Sequence, residues 1–193
     1  MNDRQYDILF HLAAYNHVGD SFTHALEAIQ SNFVSTVNLL ESDLQWERFV
    51  YTSTSEVYGY QTEVPFRESG NVPFPISPYA IGKFSGELYA RMKHHQTGRN
   101  IVCLRPFNTF GPYQSERAVI PELIIKCLQG EPISTTEGQQ TRDFNYVDNI
   151  VDGFIAAAAA ESVPDNIINF GTGEEIAIRD LIRMIHDKTG SQS

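Results

Sequence analysis

The apolar positions of this 193-residue chain change period along its length. Asp7-Ile8-Leu9-Phe10-His11-Leu12-Ala13-Ala14 is a nearly continuous apolar run, which predicts a strand buried on both faces, as in a parallel sheet. Its small last residues would let a ligand approach the backbone, although close packing uses such residues equally well. From Ser21 to Glu41 the spacing becomes helical, with Phe22, Leu26, Ile29, Phe33, Val37 and Leu40 on one stripe. Asn32 falls inside that helix, either at the surface or as a buried amide that orders a site. Arg48–Thr52 and Asn100–Pro106 predict two further strands. Between them, Ser77 suits a helix N-cap, Pro78 the first helical position and Gly98 the stop, so a helix is expected from Pro78 to about Thr97.

Beyond Gly111 the pattern shortens. A helix is expected from Pro121 to Gln129, stopped by Gly130, with short strands at Ile133–Thr136 and Phe144–Val147. Asp148 would cap an alanine-rich helix through Ala160. Asn166–Phe170 reads as a last parallel strand, and Leu181, Ile182 and Ile185 mark a final amphipathic helix. Strands alternating with helices predict an α/β fold built on a parallel sheet.

Composition narrows the function classes. A net charge of −10 disfavours nucleic acid and anionic membrane surfaces as partners, so an anionic ligand would need a local basic anchor. Cys103 and Cys127 sit in apolar runs and read as buried thiols, with no disulfide framework or zinc spacing. The six histidines form no metal motif, and Ala156–Ala160 is too short to span a bilayer, so a cytoplasmic protein is expected.

The candidate chemistry centres on Tyr79 and Lys83, which stand i and i+4 at the start of the predicted helix. An ammonium and a positive helix end beside a phenol favour the phenolate, which makes Tyr79 a candidate base toward a sugar hydroxyl. Spacing alone does not decide this, because Tyr89 and Lys93 repeat it on another face of the same helix. The second strand runs into Ser53-Thr54-Ser55-Glu56-Val57-Tyr58-Gly59, which places hydroxyls and a carboxylate where an open α/β sheet binds its ligand. The connection after it, with Pro65, Pro73 and Pro75, resembles a substrate-covering loop.

These segments together resemble the extended short-chain dehydrogenase/reductase family, the NAD-dependent sugar-nucleotide epimerases and dehydratases. The matching stretches, in family order, are His11–Ala14, Thr54–Gly59, Tyr79–Lys83, Arg105–Pro112, Thr141–Phe144 and Asn169–Gly173. The resemblance implies that Tyr79 takes the sugar hydroxyl proton as hydride passes to NAD, that Lys83 binds the nicotinamide ribose and lowers the Tyr79 pKa, and that Thr54 bonds the reacting hydroxyl. It implies cofactor-lining roles for Ala13, Ala14, Asn32, Ser53 and Pro106, and nucleotide-sugar contacts for Asn108, the backbone near Val119, and Arg142. Glu56 matches the carboxylate with which 4,6-dehydratases remove the C5 proton. Ser55 stands where many of them carry an aspartic acid. Thr-Ser-Glu is similar to the UDP-N-acetylglucosamine and GDP-mannose 4,6-dehydratases, with a UDP-sugar C4 epimerase or UDP-glucuronate decarboxylase as alternatives. Tyr113 replaces an arginine common after Gly-Pro, against a decarboxylase.

By the same resemblance, residues 1–112 form an incomplete Rossmann-like dinucleotide-binding domain. Residues 113–193 are mainly a substrate-binding lobe, with 166–179 returning to the first part. The family opens with three strands and a glycine-rich pyrophosphate turn. On the order of 60 such residues are not matched here, and the expectation is weak NAD binding by this chain alone. A non-catalytic remnant, or a subunit lacking its own pyrophosphate site, is the alternative of another class. The resemblance also implies a homodimer through the helices 21–41 and 78–97.

Overall fold

Parallel pairing of short apolar strands organises the chain, whose computed structural model describes residues 5–134 and 137–191. In order, the elements are β1 (Gln5–His11), α1 (Val18–Ser21), α2 (Ala25–Ile29), a π-helical turn (Gln30–Val34), α3 (Ser35–Leu40), β2 (Gln45–Thr52), a 3-10 turn (Ser55–Tyr58) and α4 (Pro78–Thr97). There follow β3 (Ile101–Pro106), β4 (Asn108–Phe110), α5 (Val119–Gln129), β5 (Thr141–Arg142), β6 (Phe144–Tyr146), α6 (Val147–Ala159), β7 (Ile167–Phe170), β8 (Ile176–Ala177) and α7 (Ile178–Thr189). The chain divides into two units: residues up to Phe107 with Val151–Phe170, and Asn108–Ile150 with the residues from Gly171 onward.

The first unit holds a four-stranded sheet, β1-β2-β3-β7, parallel throughout. One face packs Phe49, Tyr51, Ile101 and Cys103 against Leu40 and Ala90 of the helices. From β2, Arg48 reaches the C-terminal end of α6 and donates to the carbonyls of Ala157, Ala158 and Ala160 at 3.0, 2.7 and 2.5 Å. A guanidinium there satisfies carbonyls that the helix leaves unpaired, and complements its dipole.

Several expectations change. The first strand ends at His11, and Tyr6, Ile8 and Phe10 are 38–39% exposed. Among the described residues β1 is the edge of its sheet, paired only with β2, so an apolar run does not become a strand covered on both faces. Asp148 lies in the first turn of α6, which begins at Val147, and does not cap it. The strand expected over residues 133–136 is absent at Ile133 and Ser134, and its last two residues lie outside the described ones. Helix α4 begins and ends where its caps predict: the Ser77 side chain accepts from the Ala80 N–H, and Gly98 closes the helix in the left-handed region.

Helix α4 lies close against α2 and the π-helical turn because two glycines face them. A Cβ on Gly82 would meet the Asn32 side chain at 3.0 Å, and one on Gly86 the Tyr51 hydroxyl at 2.3 Å and the Asn32 carbonyl oxygen at 3.0 Å. The second unit pairs β4 with β6 in parallel and β5 with β8 antiparallel, and packs Leu123 and Cys127 of α5 on Ile178, Leu181 and Ile185 of α7.

Gly86→Ala should therefore destabilise the protein by about 1–3 kcal/mol, the range for overpacking a filled interior, measured as a lower urea midpoint at unchanged slope.

Candidate active site

At the carboxyl end of β2 the chain turns into the 3-10 helix, and Thr54 caps it by accepting from the Glu56 N–H at 3.2 Å. Thr54 also shares a side-chain hydrogen bond with Tyr79, and the Glu56 charge bears on the same phenol. Tyr79, Thr54 and Glu56 thus form one cluster at the start of α4, in which Tyr79 and Thr54 are buried. Burial pushes the Tyr79 phenol up to about 12; the Thr54 hydrogen bond works against that rise, and the Glu56 charge adds to it. Ser55 stands half-buried in the 3-10 turn.

The expectation that Lys83 lowers the Tyr79 pKa is not what this geometry gives. The Lys83 ammonium, 3% exposed, donates to the Thr52 carbonyl at 2.6 Å and lies 5.4 Å from the centre of the Tyr51 ring. Burial brings its own pKa down to about 8. The i,i+4 spacing sets which helix face two residues share, and the nearest acceptor decides where a flexible ammonium points. The repeat pair behaves differently. Tyr89 and Lys93 both bond the half-exposed Glu41 carboxylate, at 2.5 and 2.6 Å, as a solvated seam.

Asn32 is a buried amide. Its Oδ1 accepts from the Tyr15 N–H at 2.8 Å and its Nδ2 donates to the Tyr15 carbonyl at 3.2 Å, which braces the segment after β1 while Ala13 stays exposed and Ala14 half-buried. The π-helical turn places Asn32 against this segment, an insertion frequent at functional sites. His11 bonds Thr36 at 3.0 Å through Nε2; Thr36 spends its own proton on the Asn32 carbonyl, so the imidazole is the donor. Ser53 turns inward to Glu87, and Pro106 ends β3 half-buried.

In the second unit, Asn108, Val119 and Arg142 line one cavity of about 310 Å³, with Lys126 among the other lining residues. Lys126 is paired with Glu122 at 2.6 Å. Asp143 anchors the turn after β7, accepting from the Thr172 and Gly173 N–H groups at 3.0 and 2.9 Å.

The residues that sequence reasoning left without a role are Glu87, Arg105, Tyr58 and Asn169. Their signal was present. Tyr79, Lys83 and Glu87 continue the i,i+4 spacing one turn further, which puts a carboxylate in the buried stripe of α4, among glycines and alanines.

Residues 1–171 match the NAD-dependent epimerase/dehydratase family, and the chain belongs to it. A UDP-N-acetyl-alpha-D-glucosaminuronate decarboxylase of Bacillus cytotoxicus is 35% identical over 98% of this chain and 61% of its own length. A dTDP-D-glucose 4,6-dehydratase of Homo sapiens is 32% identical over 97% of this chain and 55% of its own. The solved UDP-glucuronic acid 4-epimerase of Bacillus cereus, in complex with UDP-glucuronic acid and NAD, superposes with a TM-score of 0.88 at 32% identity, covering 97% of this chain and 60% of that one. The chain thus spans a little over half the length of the relatives it matches. NAD is the family's cofactor. The ribose and nicotinamide end of such a group fits what is present: a buried ammonium and phenol at the start of α4, and a braced backbone segment with small side chains at the end of β1. No helix among the described residues is long and apolar enough to cross a membrane, and no cluster of three or more His, Cys, Asp or Glu among them is arranged to hold a metal.

His11 gives this site a pH signature. Burial, with the Lys83 charge second, lowers its pKa from 6.5 to about 4. A group whose folded pKa is depressed contributes stability above its unfolded pKa and loses it as pH falls through the folded one. The stability of the protein relative to a His11→Gln variant should drop by about 2–3 kcal/mol between pH 6.5 and pH 4, by urea unfolding at each pH; a flat difference would mean that the imidazole is not held neutral.

Proposed function

We propose that this chain carries the catalytic turn and the nucleotide-sugar cavity of a nucleotide-diphospho-hexose 4,6-dehydratase. The observation that carries the reading is Glu56, a carboxylate in the same cluster as Tyr79 and Thr54. Reversible oxidation at C4, which is all that epimerisation needs, has no use for a second base. Elimination of water across C5 and C6 does. The related dehydratase of Homo sapiens is compatible with this choice, and the related decarboxylase and epimerase mark the competing outcomes.

In this reading Thr54 and Tyr79 bond the C4 hydroxyl, and Tyr79 takes its proton. For that step Tyr79 acts as the phenolate, the form that its hydrogen bond with Thr54 favours against burial. Lys83, four residues on, would hold the cofactor ribose together with Tyr79. NAD, when bound, would supply the hydride acceptor for C4 and the hydride donor for C6. The C4 ketone acidifies C5, and Glu56 takes the C5 proton. The C6 hydroxyl leaves as water with a proton from Glu56 or from a water, since Ser55 is a poor acid. C5 is reprotonated as Tyr79 gives up the proton it took. Ala13, Ala14, Asn32, Ser53 and Pro106 belong to the cofactor side of this proposal, with Asn32 acting through the Tyr15 backbone and Ser53 through Glu87.

The nucleotide diphosphate is assigned to the cavity of the second unit. Arg142 supplies an exposed guanidinium there, and Val119 opens α5, whose first N–H groups have no side-chain cap and suit an anion. Asn108 is the neutral partner for the base or ribose. This local positive end meets the need of an acidic chain for a basic anchor.

In a full-length enzyme built on this chain, Glu56→Gln should reduce water loss by about 10²–10⁴-fold while C4 oxidation persists, and Tyr79→Phe should slow both. Product mass is the measurement: a product lighter by one water supports the reading, and a same-mass C4 epimer formed equally well by the Glu56→Gln variant would sink it. The exposed apolar residues Phe22 and Leu26 of the first helical segment, and Ile81 and Leu88 of α4, suit a homodimer through these helices. Light scattering should give twice the chain mass, and a monodisperse monomer at high concentration would contradict it.

A further inference from the structure

We propose that the buried ion pair of Glu87 and Arg105 is a positioning device that grips the catalytic turn at both ends. It rests on the reading of Thr54 and Glu56 as reacting groups given above. Glu87 and Arg105 are 0% and 1% exposed, on α4 and β3. The guanidinium meets the carboxylate in a fork: Nε donates to Oε2 at 2.9 Å and Nη2 to Oε1 at 2.5 Å. Each partner keeps one bond for the turn. Ser53, just before Thr54, donates its hydroxyl to Glu87 Oε2 at 2.6 Å. Tyr58, the last residue of the 3-10 turn, accepts from Arg105 Nη1 at 2.7 Å. Thr54, Ser55 and Glu56 lie between these two grips.

The arrangement does more than fill a core. Buried ion pairs contribute little net stability compared with well-packed apolar residues, so stability alone is a weak reason to bury one. What this pair provides is direction. All three guanidinium nitrogens and both carboxylate oxygens are engaged, and the two bonds that face the turn hold its entry and its exit. Glu87 stands eight residues after Tyr79 on the same helix, so the turn is held to the element that carries the phenol. Displacement of the turn would move Thr54 away from Tyr79 and Glu56 away from the carbon it must reach, and sub-ångström placement matters for such transfers.

The chain of bonds continues outward. Tyr58 donates to Asn169 Oδ1 at 2.8 Å, Asn169 Nδ2 donates to the Phe66 carbonyl at 3.1 Å, and the Asn169 N–H donates to Glu68 at 2.7 Å. Phe66 and Glu68 belong to the connection between the turn and α4. That connection leaves the turn through Gly59, at φ 60°, where a Cβ would lie 2.0 Å from the Phe74 carbonyl oxygen. Ser53, Tyr58, Glu87, Arg105 and Asn169 are thus positioning residues, and none of them is assigned contact with the reacting atoms.

Amide hydrogen exchange on the whole chain separates this role from a merely structural one. The Glu56, Val57 and Gly59 N–H groups all close hydrogen bonds within the turn. Tyr58→Phe, which removes one hydroxyl, should speed their exchange by about tenfold and leave the α4 amides from Glu87 to Thr97 unchanged. Ser53→Ala should give the same pattern from the other end, and carries the test if Tyr58→Phe does not fold. Unchanged turn amides, or uniform acceleration across the first unit, would overturn the proposal. In a full-length active enzyme, Tyr58→Phe should also lower kcat by about tenfold at unchanged KM. If the parent enzyme dehydrates no nucleotide sugar, the reaction reading fails, and the exchange pattern still decides the positioning role.

Discussion

The pairing of Glu87 with Arg105 is the interaction that ties the first unit's candidate site together. It joins helix α4, strand β3, both ends of the turn that carries Thr54 and Glu56, and, through Tyr58 and Asn169, strand β7. Arg105 holds its proton tightly because Glu87 and Tyr58 outweigh the penalty of its burial. Removing either charge would leave the other uncompensated in the interior, a loss typically of about 3–5 kcal/mol. The pair therefore constrains any sequence that keeps this site: the two charges must be kept or lost together.

Around that pair the unit spends its buried polar groups on backbone. Lys83 holds the end of β2, Asn32 the segment after β1, and Arg48 the end of α6. Each bond ties a loop or the end of an element to a side chain far away in sequence. Low-dielectric surroundings then act on the ionisable groups, and Tyr79, Lys83 and His11 are all displaced toward their neutral forms. In a protein of net charge −10, the exposed guanidinium of Arg142 lies in the other unit.

Much of this was legible in the residues. The caps of α4 follow from Ser77, Pro78 and Gly98, because capping is a local matter of side-chain reach and left-handed backbone. The parallel strands at β2, β3 and β7 follow from short apolar runs set between helices. The family was legible from six short stretches in order. Less legible was anything that depends on a neighbour. Among the described residues β1 lies at the sheet edge with the face of Tyr6, Ile8 and Phe10 uncovered, and the helix expected from Ser21 is broken at residues 22–24 and carries a π-helical turn that sets Asn32 on the Tyr15 backbone.

By itself the sequence determined the fold class and the family and named the candidate groups, because these rest on local pattern and on residue types fixed along the chain. Tertiary structure decided how those groups are charged and held. Two tyrosine–lysine pairs with the same spacing diverge entirely: Tyr79 and Lys83 are buried beside Thr54 and the end of β2, while Tyr89 and Lys93 share an exposed carboxylate. Spacing fixes which residues share a helix face. What that face meets is set by elements far away in sequence, and with it the solvation that sets a pKa and the partner a side chain finds.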